Sequence, residues 1–161
     1  MSSQTVHSSF STDRDRLRKV LLATGIVSAL IATGFTAIGV FYRGPEHHHT
    51  HSPWEFYFVA AVVVIATAVV FGFLLPRGLR KESAGGTALT LSSIALLVLL
   101  PAFWSGLPLV LGVGGAMLGY AGKNAVSGSG KSTVAVVLGL LAAVGYVAIY
   151  ILDTVDRAGI F

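Results

Sequence analysis

Charged residues divide the chain into apolar stretches. Residues 20–42, 56–76, 83–122 and 132–152 contain no Asp, Glu, Lys or Arg. A helix that spans a membrane needs about 20 consecutive, mostly apolar residues. Three stretches match one such helix each, and the stretch 83–122 is about twice that length. The pattern therefore predicts an all-α fold, a polytopic transmembrane helical bundle.

The long stretch 83–122 contains a predicted helix break. The sequence PAFWSGLPL at 101–109 contains prolines, a glycine and a tryptophan. Proline interrupts helical hydrogen bonding, and Trp prefers the membrane–water interface. The alternatives are four spans or one re-entrant segment, because 107–122 rises only about 24 Å against a hydrocarbon core of about 30 Å. A turn near Trp104 instead predicts five spans, near 17–42, 54–76, 87–104, 107–122 and 132–152.

Positive charge favours five spans with a cytoplasmic N-terminus. Lys and Arg collect in cytoplasmic loops, and five spans leave only Arg43 and Arg157 of the 11 Lys and Arg outside. Four spans would move Lys123 and Lys131 outside. We therefore predict a cell-membrane protein with an extracytoplasmic C-terminus. Aromatic residues agree with five spans, because the following then lie near the outer interface: Tyr42, Trp54, Tyr57, Trp104 and Tyr150.

Composition also indicates a membrane protein. The chain is 54% hydrophobic and 11% charged, with a mean hydropathy of +0.79, whereas soluble domains carry about 25% charged residues. The net charge of +4 does not indicate a nucleic-acid partner, because the basic residues lie between apolar runs. Cysteine is absent, which excludes disulfides and thiolate metal sites. Residues 1–12 are polar and predict a disordered cytoplasmic tail, followed by a single bundle over 13–161.

One stretch resembles a phosphate-binding loop. AVSGSGKST at 125–133 supplies Gly130, Lys131 and Ser132, but Ala125 occupies the position of the first glycine of that motif. The motif functions between a strand and a helix of a soluble domain, whereas both flanks here are apolar spans. We therefore predict a cytoplasmic Gly/Ser turn with no nucleotide partner, and we expect Lys123 and Lys131 to contact phosphates of the lipid bilayer.

The first outer loop contains the candidate metal site. GPEHHHTHSPWEF at 44–56 contains His47, His48, His49 and His51. Alternate residues of an extended segment share one side, which would let three of these imidazoles converge on labile Zn, Ni or Cu(II). A solvated loop and a pH sensor are the alternatives. The sequence indicates no other cofactor.

Small residues recur at helical spacing in three spans, and such rows let helices pack closely, within the bundle, with another membrane protein or by self-association. The stretches 20–42, 56–76, 83–122 and 132–152 contain no Asp, Glu, His or Lys, and no Ser/His/Asp set or HExxH motif indicates hydrolysis. We therefore predict a non-enzymatic accessory, assembly or structural subunit. The alternative is a metal-handling or small-solute transport protein that uses the His-rich loop. The rows are Gly25, Ala29, Thr33 and Ala37 beside Ser28, Ala32 and Thr36, then Gly115 and Gly119, then Ala135, Gly139 and Ala143.

Overall fold

The structure is a computed structural model that describes residues 4–41, 53–79, 84–123 and 129–157. All regular structure in these ranges is helical and they contain no strand, which confirms the all-α prediction. The elements are α1 (Gln4–Phe41), α2 (Pro53–Thr67), a π-helical segment (Ala68–Leu74), α3 (Leu75–Gly78), α4 (Ala84–Leu97), a 3-10 turn (Phe103–Ser105), α5 (Leu107–Gly122) and α6 (Ser129–Arg157).

Some of the described helices are long enough to cross a membrane and others are shorter. Three are long and apolar enough: Lys19–Ile38, Phe56–Gly78 and Gly130–Asp156. The apolar helices α4 and α5 have 14 and 16 residues, which correspond to about 21 and 24 Å along the helix axis. A hydrocarbon core is about 30 Å thick. The count of five spans therefore stays a prediction.

α4 is shorter than the span predicted at 87–104. It ends at Leu97, and Pro101 explains why. Proline has no N–H to donate, and its ring collides with the carbonyl four residues earlier, which is that of Leu97. A turn follows, and Gly106 then adopts a left-handed conformation with φ of 69°. α5 begins at the next residue, as the sequence predicted.

α1 begins at Gln4, so residues 4–12 are helical in the structure, where the sequence analysis predicts a disordered tail. This segment contains no Gly or Pro that would interrupt a helix. A helix that forms in the following apolar stretch can therefore extend backward through it, because each added residue gains one backbone hydrogen bond.

The helix that begins at Pro53 continues through the π-helical segment to Gly78. Pro76 lies two residues after the end of the π-helical segment. Because Pro76 lacks an N–H and crowds the carbonyl of Gly72, regular α-helical geometry is unfavourable there. A wider turn before the proline accommodates this loss.

α4, α5 and α6 form the tightly packed part of the bundle. α5 runs antiparallel to α4, because Gly115 lies against Ser92 while Gly122 lies near Ala84. The pair formed by α1 and α2 packs along α5. The core consists of buried apolar side chains from all these helices, and the largest of those that are fully buried are Tyr146, Leu75, Leu118, Val63 and Val110.

Candidate functional site

α5 and α6 cross with their backbones in direct contact. A Cβ atom on Gly112 would lie 2.7 Å from the carbonyl oxygen of Gly139, and one on Gly139 would lie 2.5 Å from the carbonyl oxygen of Gly112. Real side chains do not approach a backbone oxygen this closely. Glycine at both positions is therefore what permits the crossing.

The small-residue rows predicted from the sequence lie largely inside the bundle. On α5, Gly115 contacts α4 and Gly119 contacts the carbonyl oxygen of Ser132 on α6. On α1, Gly25 packs against Phe71 of the π-helical segment. These members of the rows therefore serve contacts within this chain. The other buried residues of the small-residue rows are Ser28, Ala32, Thr36, Ala135, Gly139 and Ala143.

One interhelical hydrogen bond joins α4 to α6. The Oγ atom of Ser92 donates to the carbonyl oxygen of Ala135 over 2.7 Å, and Ser92 is fully buried. Sequence analysis did not single out this serine. The available signal was a polar residue in an apolar stretch, because such a residue usually pairs across helices. Two other buried hydroxyl groups, of Ser132 and Tyr146, have no hydrogen-bond partner within the described ranges.

A cluster of four aromatic rings ties α1 and the 3-10 turn to α6. Phe35 stacks on Tyr150 with ring centres 5.2 Å apart, Phe103 meets the same ring at 6.0 Å, and Tyr146 lies 5.1 Å from it. Tyr150 is only 5% exposed. Its predicted level near the outer interface stays a prediction, and at that level its ring packs against α1 and the 3-10 turn.

Cationic side chains collect at the opposite end of the bundle from this cluster. The contacts of Gly25 with Phe71 and of Gly78 with Leu118 place the start of the apolar part of α1, the end of α3 and the end of α5 at one level. The contact of Gly122 with Ser132 adds the start of α6. We call this region the cationic end. Its described and exposed basic side chains are Arg16, Lys19, Arg77, Lys123 and Lys131.

At the cationic end, Arg77 lies over an aromatic ring. Its guanidinium carbon Cζ is 3.3 Å from the centre of the Phe73 ring. An arginine and an aromatic residue four positions apart on a helix can make this contact. The spacing is visible in the sequence, but the sequence analysis did not identify the pair.

The stretch that resembles a phosphate-binding loop follows α5, and its residues 129–133 are the start of α6. A helix precedes it, whereas the motif requires a strand at that point. Lys131 is exposed and Ser132 is buried against α5. The described part of this stretch therefore lacks the setting in which such a loop cradles a phosphate.

The predicted metal ligands His47, His48, His49 and His51 lie outside the described residues. Within the described ranges, no group of three or more His, Asp or Glu side chains could hold a metal ion. The metal site therefore stays a prediction.

Comparison of the chain with protein families, with curated proteins and with solved structures finds no match.

Proposed function

We propose that the protein is a multi-pass integral membrane protein that acts without catalysis, as an accessory, assembly or structural subunit. The supporting observation is the interior of the bundle. Its buried polar side chains within the described ranges are all Ser or Thr, apart from the tyrosines. Proton relays and charged-solute pathways in membranes use ionisable side chains that face the interior. An interior of this composition favours a packing role.

The proposed orientation has the N-terminus in the cytoplasm and the C-terminus outside. Its support is the cationic end, because Lys and Arg are retained on the cytoplasmic side. The C-terminal part of α6 carries Asp153 and Asp156 at the other end. Arg157 is the one Lys or Arg in the C-terminal part of α6, so more of the described basic residues lie at the cationic end, as this orientation requires.

The proposed partner surface is the outward face of α1. Gly34 lies there with open space around it, since a Cβ atom at this position would meet nothing within 4 Å. Its neighbours one turn away, Leu30 and Ile38, are 67% and 44% exposed. A glycine between two large apolar side chains forms a notch into which a second transmembrane helix can pack.

Co-purification from a mild detergent tests this function, with Gly34→Leu as the variant and Gly86→Leu as its matched control. Gly86 is also an open, exposed glycine, but it lies on α4. We expect a stoichiometric membrane protein with the parent and with the control, and at least about tenfold less with Gly34→Leu, because a lost close contact of about 1.4 kcal/mol lowers affinity tenfold. Equal recovery with both variants would contradict the α1 surface.

Membrane insertion is tested separately by an alkaline carbonate wash of membranes. An inserted bundle stays in the pellet, because its apolar helices cannot leave the hydrocarbon core. Release of the parent into the supernatant would refute the membrane location itself. The alternative function, metal handling or small-solute transport, has its support in the four loop histidines of the sequence.

A further inference from the structure

The side chain of Arg77 is exposed and lies against an aromatic ring. The ring of Phe73 supports the guanidinium at 3.3 Å. No hydrogen bond or ion pair joins Arg77 to another residue within the described ranges. A guanidinium carries five N–H donors in a planar fork. The bundle therefore presents, at its cationic end, an exposed guanidinium supported by an aromatic ring.

A row of apolar side chains leads away from this cation. Ile65, Val69 and Phe73 follow one another at intervals of four residues and are 63%, 47% and 50% exposed. Residues at this spacing share a face of a helix. The row lies within Phe56–Gly78, one of the helices long enough to cross a membrane. These exposed side chains therefore form an apolar strip along the helix, and the strip ends at the positively charged Arg77.

We propose that this surface binds one anionic phospholipid, with its phosphate on Arg77 and an acyl chain along Ile65, Val69 and Phe73. The proposal rests on the membrane insertion proposed above. Arginine recognises phosphate through paired N–H donors. Because the ring already restricts the side chain, binding costs less conformational entropy than it would for a freely rotating lysine.

The surrounding charge selects an anionic lipid. Lys19 of α1 lies at the level of Arg77, since Gly25 packs beside Phe71. Lys19 and Arg77 are both exposed at this end. A lipid with a net negative headgroup gains attraction from this excess of positive charge, whereas a zwitterionic lipid gains little.

Native mass spectrometry of the detergent-purified full chain tests the proposal with three probes: phosphatidylglycerol, phosphatidylcholine and inorganic phosphate. We expect phosphatidylglycerol to bind about tenfold more tightly than phosphatidylcholine. Arg77→Gln should lower that affinity about tenfold, because charge-assisted hydrogen bonds to phosphate are the strong ones. Arg77→Lys and Phe73→Leu should each lower this affinity about threefold. The lysine lacks the planar set of N–H donors, and the leucine lacks the aromatic ring beneath the guanidinium.

Lys131→Gln is the matched control, because it removes one exposed positive charge from the same end without touching the ring. It should change affinity less than about twofold. Equal losses for Lys131→Gln and Arg77→Gln would overturn the proposal in favour of diffuse attraction. Arg77-dependent binding of inorganic phosphate with the same affinity would also overturn it, because a lipid site needs the chain. Retention after a carbonate wash separates these outcomes from a failure of membrane insertion.

Discussion

Ser92 of α4 donates a hydrogen bond to the carbonyl oxygen of Ala135, which lies 43 positions later on α6. The acceptor is also part of the α6 backbone ladder, so the serine binds a carbonyl that already has a helical partner. Because α5 contacts both helices, this bond closes a triangle of three mutually packed helices. The aromatic cluster around Tyr150 then connects this triangle to α1.

Ser92→Ala should destabilise the folded bundle by about 1 kcal/mol. Hydrogen bonds between membrane helices average about 0.6 kcal/mol and reach about 1.7 kcal/mol. The loss stays modest because the carbonyl of Ala135 keeps its helical hydrogen bond. Equilibrium unfolding in mixed detergent micelles measures the change.

Thr90→Ala is the control for this measurement. Thr90 is exposed and donates to the carbonyl of Gly86 on its own helix, so its removal should change stability by less than about 0.5 kcal/mol. If both variants lose the same amount, the bond between α4 and α6 contributes nothing beyond local helix stability.

Gly112→Ala should cost about 1–3 kcal/mol, in the range of other overpacked cores. The new methyl group would lie 2.7 Å from the carbonyl oxygen of Gly139 and 3.2 Å from the Cβ atom of Ala142. Backbone cannot move away as a flexible side chain can, so α5 and α6 must separate. The same unfolding measurement applies.

Gly86→Ala should have the opposite effect on the stability of the bundle. This glycine lies within α4 with open space around it, so alanine should stabilise the helix by about 0.5–1 kcal/mol. A stability loss at Gly112 no larger than the change at Gly86 would show that α5 and α6 do not cross at this glycine.

Local sequence signals predicted the ends of helices more accurately than they predicted the contacts between helices. Pro101 marked the break between α4 and α5, because the missing N–H and the ring act on the nearest turn. Pro53 likewise stands at the start of α2, where a proline loses no helical hydrogen bond. These effects depend only on the residues beside them, so one sequence is enough to detect them.

Contacts between helices depend on which faces meet, and periodicity alone does not determine this. The rows with Gly115 and Gly139 indicated close approach, but a partner outside the chain stayed an alternative that the pattern does not exclude. The position of Tyr150 along the chain predicted its level near the interface, but that position does not reveal the rings of Phe35 and Phe103 beside it. The π-helical segment was also missed, since Pro76 alone does not specify how the preceding turn adjusts.

Topology is tested with reporters at two positions. A reporter fused after Phe161 should be extracytoplasmic and one inserted near Ser127 should be cytoplasmic, because five spans place these points on opposite sides. Alkaline phosphatase activity and fluorescent-protein fluorescence report the two sides. An extracytoplasmic signal near Ser127 would exclude the hairpin of two spanning helices and favour four spans.

The histidine loop gives the last prediction. If His47, His49 and His51 capture a divalent metal, zinc or nickel should bind at about pH 7.5 and be lost at about pH 5.5, because a protonated imidazole has no lone pair to donate. Isothermal titration of the detergent-purified chain measures this against a variant in which these residues and His48 are all alanine. Binding should be weak and reversible, and removing the metal should not change the unfolding of the bundle, because the predicted ligands lie in the connection between α1 and α2 rather than within either helix. Equal, negligible binding by parent and variant would leave the loop as a solvated connection and remove the main support for metal handling.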